Sequence, residues 1–460
     1  MTIKRKFRKY SFGRGRCGRG SFGDTIASLL KYKLTFYADY RDGIHAKLSK
    51  ASPIGTVTAD RSTNAQGAYF TEFGKAVALT TSNTPTITQG YYGPSGWVAS
   101  PGLSISKSNS GSLVCAYSAM DSGTWAVSSA TNSCNYTMDT STKFTLTCIN
   151  TGATSNSIGT SSPITNGKTC KVVVTTAGDA GDIVWHTNGN YTSAYYHHVS
   201  IFIKASAAVS VPWKLVKNGD PETVRADLGT ITTIANEWVR VVAKASYTGA
   251  DAQLWVYLGG LGTTTFEICG AFIATEGTSD NTVLDLPVLM GESGVSAAEV
   301  LTYPAGVNRT AAAETVAVQW TPFASATTYG DVATMLDSDT KCRTMSVVGS
   351  VDQYRFYPNF TDSSTAVVTS SGTHAAFVKA TWIGSCQYTG NPNTTLYKNG
   401  SSAGSASNTD FTAPAIGTNW QVGRQNSATN WARALFHKVA VFGMYTSSAQ
   451  ALAINYHLAK

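Results

Sequence analysis

The stretches YYHHVSIFIKAS (Tyr195–Ser206) and NEWVRVVAKAS (Asn236–Ser246) repeat their side-chain character every second residue. Val199, Ile201 and Ile203 share one face of the first. In the second, Trp238, Arg240 and Val242 oppose Val239, Val241 and Ala243. This period indicates half-buried strands and excludes helices there. It recurs along the chain between turns rich in Gly, Asn, Ser and Thr. There is no long heptad run, and helical patterning is confined to the two ends. The fold class expected is all-β: antiparallel β-sandwiches in series, two or three domains in 460 residues. Charged residues are only 13 %, about half the usual share, and polar turn formers and aromatics take their place.

Charge gathers at one end. Lys4, Arg5, Lys6, Arg8, Lys9, Arg14, Arg16 and Arg19 are eight of the twenty residues in KRKFRKYSFGRGRCGRGSFG (Lys4–Gly23). Without them the 35 basic residues fall level with the 27 acidic ones, so the net +8 belongs to this arm and the body is neutral. Gly and Arg at this density give a segment that is disordered until it meets a partner. Three readings compete. The arm docks into a larger particle; or it grips nucleic acid, with Arg on phosphate and Phe7, Tyr10, Phe12 and Phe22 stacking; or it is a solvated tail. Docking is favoured, because a neutral body gives nucleic acid nothing else to hold. A short helix capped by Asp24 is expected next.

Arg/Gly-rich sequence stands where a signal peptide would need an apolar core, so no secretory leader is expected. No run of 18 apolar residues provides a membrane span. The eight cysteines form no C-x-x-C pair, which removes the common zinc signature. They read mostly as reduced, with pairing among Cys115, Cys134, Cys148 and Cys170 as the alternative. Acids such as Asp182, Glu222, Glu237, Glu267 and Glu276 stand singly, and no E-x-D-x-x-E pattern supplies a glycosidase pair. His197 and His198 point to opposite faces of a strand and cannot share a metal. Asp331, Asp337 and Asp339 could offer oxygens to Ca²⁺, but their spacing fits no EF-hand and a solvated loop is favoured. No P-loop, G-x-S-x-G or H-E-x-x-H occurs. No catalytic residue, metal site or cofactor is expected.

Three segments carry a resemblance. Leu34–Tyr40, Ala46–Ser52, Thr56–Thr63 and Gly67–Leu79, followed by GPSGWVASPGL (Gly93–Leu103), resemble the opening module of tailed-bacteriophage virion proteins. YYHHVSIFIKAS, NEWVRVVAKASYTGADAQLWVYLGG (Asn236–Gly260) and TTFEICGAFIATEG (Thr264–Gly277) resemble strands of carbohydrate-binding jelly rolls. LYKNGSSAGS, WQVGR, WARALFHKVAVF and SSAQALAINYHLA are similar, in that order, to a laminin-G-like, concanavalin-type jelly roll. Asn399-Gly400 would form a type I′ turn and Ser447 or Ser448 would cap the last helix. The organisation implied is an arm and short helix over 1–33, a strand-rich linking module over 34–110, one sandwich over 111–284 and another over 285–460.

Among Trp97, Trp125, Trp185, Tyr191, Trp213, Trp255, Trp420 and Trp431, which could stack on sugar rings, the loop-flanked Trp185, Trp213 and Trp431 are the candidates for glycan contact. Trp238, Trp320 and Trp382 lie in alternating strands and read as core. The resemblance implies a structural virion protein, a head or tail fibre or decoration protein. Its arm would dock on other virion proteins, the chain would form a homo-oligomer, commonly a trimer, and its sandwiches would cement neighbours or meet host-surface polysaccharide. Two alternatives stay open: a capsid protein whose arm meets packaged genome, and a polysaccharide depolymerase.

Overall fold

The computed structural model describes residues 28–42, 47–49, 52–53, 58–61, 67–72, 76–79, 85–93, 96–105, 109–112, 134–138, 144–150, 168–179, 183–187, 196–217, 220–247, 252–276, 295–296, 299–304, 312–323, 330–338, 341–348, 353–357, 368–373, 375, 377–389, 393–407, 419–423 and 434–460. The basic arm and Asp24 lie outside them. Every strand ladder among the described residues is antiparallel, and the strands form paired sheets, as the period of two requires.

The C-terminal sandwich pairs an eight-stranded with a seven-stranded sheet. Its central strand, Ala434–Phe442, is buried at all nine positions. Such a strand needs a partner on each edge. Ala313–Pro322 supplies one. The other comes from the far end of the chain: Leu34–Asp39 pairs with it from Phe442 to Lys438, and Gly96–Ile105 pairs at Ala434–Phe436. On the opposing sheet Thr58–Arg61 pairs with Glu299–Pro304. Strands of residues 34–110 and of 285–460 thus share sheets. Leu34–Asp39, Thr58–Arg61, Ile87–Gly93 and Gly96–Ile105 join the sheets of the C-terminal sandwich, Lys47–Ser49 with Ser52–Pro53 and Gly67–Phe70 with Ala76–Leu79 form two-stranded ladders, and Asn109–Ser112 pairs with the closing strand of the middle sandwich, Thr265–Glu276. Pairing over such separations leaves no local mark in the sequence.

Between the sheets lies one aromatic and aliphatic core. Tyr354 stacks on Trp382 at 3.8 Å, and Trp320 meets Tyr354 edge-on at 5.4 Å. Phe36 meets Tyr303 edge-on at 4.9 Å, and the buried hydroxyls of Tyr303 and Tyr40 bond at 3.1 Å. The expected hairpin is present: Asn399 (φ 51°) and Gly400 (φ 85°) form its tip between Lys398 and Ser401. The helix Ser448–Ala459 starts at Ser447, whose side chain accepts from the Gln450 N–H while Gln450 bonds back to the Ser447 N–H. It buries Ala451, Ile454 and Leu458. Two cations secure its last carbonyls: Lys438 Nζ donates to the Leu458 oxygen at 2.6 Å and Arg41 Nη1 to that of Lys460 at 3.0 Å. Asp39 bridges the same cations, at 2.6 Å from Arg41 and 3.8 Å from Lys438.

The middle sandwich packs a five-stranded sheet on a seven-stranded one. Val199, Ile201, Ile203 and Phe266 of the larger sheet share a core with Leu215, Leu254 and Val256 of the smaller. One expectation needs correction. Over residues 199–205 the strand Tyr196–Ala205 is not half-buried, because Ser200, Phe202 and Lys204, on the face away from Ile203, are buried too. The charged residue there survives by pairing across strands. Lys204 stands opposite Glu267 on one neighbour and Trp238 on the other; its ammonium is 2.9 Å from Glu267 and 5.0 Å from the Trp238 ring centre. Desolvation holds the Lys204 pKa down, against the opposing pull of Glu267. Cys170, Cys269 and Cys386 are buried. Cys170 stands directly across from Cys148 in the ladder of Phe144–Asn150 with Lys168–Val174.

Candidate functional site

The five-stranded sheet of the middle sandwich presents two faces of opposite character. Backbone register sets Asn135 opposite His186, His186 opposite Trp255, Trp255 opposite Lys214, and Lys214 opposite Asp227. These five positions form one row straight across five strands. Adjacent positions on the same side of Ala252–Tyr257 are Gln253 and Tyr257. The next row, one residue away, runs Tyr136, Trp185, Val256, Trp213.

That one-residue step decides which tryptophan bears on function. Val256 is fully buried and Trp213 is 3 % exposed, both within the sandwich core. Trp213 is therefore a core residue and not a glycan platform: its loop-flanked look in the sequence concealed a strand, Ser210–Lys217, whose inward face includes it. Trp185 falls in the same row by register. Trp431 and the eight basic residues of the arm lie outside the described residues, as does Asp339. The expected core tryptophans Trp320 and Trp382 are buried, and Trp238 is partly buried against the core.

The outward row holds aromatic and hydrogen-bonding groups side by side. Trp255 is 8 % exposed and forms a floor with Val184 and Val216, against which Tyr257 packs. Its indole N–H donates to Gln253 Oε1 at 3.2 Å, which fixes both side chains. The Trp255 and Tyr257 rings lie 6.1 Å apart. The Lys214 ammonium sits 5.8 Å from the Tyr257 ring centre and 3.9 Å from Asp227 Oδ2. Burial and then the charge of Asp227 push the Tyr257 hydroxyl pKa up, so it stays a neutral donor at physiological pH. Asp227 is largely exposed and Lys214 partly so. Rings beside a donor and an acceptor suit a ligand with an apolar face and peripheral hydroxyls. Trp255 was one of eight aromatics legible as platforms. The missed signal was the alternation within QLWVY, which puts Trp255 and Tyr257 on one face. Among the described residues no three His, Cys, Asp or Glu gather as a metal site.

No protein-family model and no curated protein matches the chain. Solved structures resemble parts of it. A CBM4 structure is 18 % identical over 24 % of this chain and 71 % of its own, with a TM-score of 0.22. A heptameric SAP-like pentraxin from Limulus polyphemus is 13 % identical over 31 % of this chain and 71 % of its own, with a TM-score of 0.26. A structure of botulinum neurotoxin type C, whose cell entry depends on two ganglioside molecules, is 7 % identical over 37 % of this chain and 41 % of its own, with a TM-score of 0.28.

Proposed function

We propose that this protein is an adhesive structural protein that holds a saccharide on the outer face of its five-stranded sheet. The observation that carries this is the row of Trp255, Lys214 and Asp227, with Tyr257 and Gln253 beside it. A sugar ring lays its C–H face on the half-buried Tyr257 ring, over the Trp255 floor. Lys214 donates to its hydroxyls and Asp227 accepts from them. The Lys214–Asp227 separation of 3.9 Å leaves both groups able to turn to a ligand.

The setting we propose is a bacteriophage virion, with the protein as a head or tail fibre or decoration protein. The bacteriophage-like strand pattern in the sequence supports it, as does the confinement of excess charge to one arm, which suits docking on another virion protein. Many copies on one particle would turn weak single sites into firm adhesion. The test is binding of the full chain to a panel of bacterial-surface oligosaccharides, followed by titration of the best ligand. Lys214→Ala and Asp227→Ala are each expected to weaken binding about tenfold, the loss of one hydrogen bond to a charged group. Failure of every oligosaccharide to bind, or unchanged affinity in both variants, would refute the site. A particle reconstruction with residues 1–24 running into genome would replace the appendage by the capsid reading.

A further inference from the structure

Residue 377 poses a problem that local chemistry does not solve. Phe377 has φ +62°, in the left-handed region. An L side chain pays about 1–2 kcal/mol there and glycine nothing. Among the described residues positive φ falls on five glycines, on Asn236 and Asn399, whose type tolerates it, on Lys33, and on Phe377, the one bulky aromatic. At 377 the chain keeps a phenylalanine, pinned by a 2.7 Å bond from its N–H to the Pro322 oxygen. Strain of this kind persists where the side chain has a task.

The ring's surroundings indicate the task. Phe377 is half-buried and rests on two buried rings, Tyr91 stacked at 6.0 Å and Phe323 at 6.0 Å, with Leu435 beneath. Tyr91 and Phe323 also touch each other, at 5.3 Å. The outcome is a ring held rigidly at the surface on an aromatic base. Beside it the chain is open: Val378 is 54 % exposed, and Lys379 is exposed. Among the described residues Lys379 has no carboxylate at ion-pair distance; the charge of Asp39, which Arg41 and Lys438 engage, reaches it but is outweighed by that of Arg41. Burial of its stem, and then the like charge of Arg41, depress the Lys379 pKa, and its charge reaches His437. His437 is itself committed, to Thr321 Oγ1 at 2.9 Å and the Pro101 oxygen at 3.0 Å.

We infer that Phe377 and Lys379 form a second binding site, on the C-terminal sandwich, for an acidic saccharide whose ring stacks on Phe377 and whose carboxylate meets Lys379. Charge complementarity points to the ligand: among the described residues Arg41, Lys438 and Lys379 face the single carboxylate of Asp39, so a negative group complements Lys379 where a neutral sugar does not. The site is separate from the face of the five-stranded sheet and does not depend on it.

The full chain is titrated with a β-1,4-linked hexamannuronate and with the uncharged β-1,4-linked hexamannose, in the unsubstituted protein and three variants. The uronate oligomer is expected to bind at least about tenfold tighter, a preference that Lys379→Ala removes. Phe377→Gly deletes the ring, its relieved backbone offsetting part of the packing lost on Tyr91 and Phe323, and uronate binding falls about tenfold at a temperature where the variant is folded. Lys214→Ala, on the other sandwich, leaves this binding intact. Equal affinity for the two oligomers, or uronate binding that survives both Lys379→Ala and Phe377→Gly, overturns the inference. Loss with Lys214→Ala alone assigns the ligand to the first site and overturns it equally.

Discussion

At the level of single residues, the telling groups are charges and rings placed against solvent preference. His437 is buried between a carbonyl that only accepts and a hydroxyl, so its neutral form carries the proton on Nδ1, donates to Pro101 and accepts from Thr321 at Nε2. Burial pushes its pKa down to about 4, opposed by the Pro101 bond and assisted by the charges of Lys379 and Arg41. The unfolded chain takes up a proton near pH 6.5 and the native state does so only near 4, so stability falls as pH drops across that window. The loss is on the order of 3 kcal/mol. Urea titrations at pH 7 and pH 4.5 should show it, and His437→Gln should flatten the difference. Asp39 adds a second acid-labile element lower down. Burial alone would raise its pKa, but Arg41 and then Lys438 outweigh this and hold it below the usual range. Glu267→Gln, which strands a buried Lys204, is expected to cost about 3–5 kcal/mol. The double change to Lys204→Met and Glu267→Met should recover most of that; an equal loss in the double variant would show that the pair is not the cause. None of these partners was legible in the sequence, where Glu267 read as a solitary acid. A cross-strand partner is set by register, and register is a property of the assembled sheet.

Elements were far more legible, because their signals are local. Asn399-Gly400 marked its turn, and a serine before SAQALAINYHLA marked the helix start. The two make different demands. Ser447→Ala removes one cap, worth about 1 kcal/mol. Gly400 needs both its positive φ and its missing side chain, since a Cβ there would lie 2.9 Å from the Leu452 backbone. Gly400→Ala should therefore lower the thermal midpoint more than Ser447→Ala, and the reverse order would mean that the hairpin tip is not tied to the helix. Gly384 is similar in the core, where a Cβ would run into the Phe356 ring. Which face of a strand looks inward was less legible. Trp213 and Trp255 sit in comparable alternating strings, and only the register between Ser210–Lys217 and Ala252–Tyr257 puts one in the core between the sheets and the other, also buried, on the opposite face.

For the molecule as a whole, the all-β class was legible in the sequence, while the pairing of distant strands was not. A boundary near 285 looked natural because strand patterning resumes there. Yet Ala434–Phe442 takes one edge from Leu34–Asp39, so residues 285–460 alone leave a buried strand half paired. That fragment is expected to give a poorly dispersed amide spectrum, and adding residues 28–110 should be needed for native dispersion; a well-folded fragment would refute this. The joining of distant strands also orders events in time. The Thr35 hydroxyl bonds the Val441 carbonyl, 406 residues along the chain. At ribosomal rates of about 5–20 residues per second, Thr35 waits roughly 20–80 s for that carbonyl to exist. The middle sandwich draws its strands from a shorter span and can close meanwhile. Leu34–Asp39, made long before its partner, is thus among the last of the described strands to be placed, and through that interval its apolar edge is open to chaperones or to neighbouring chains.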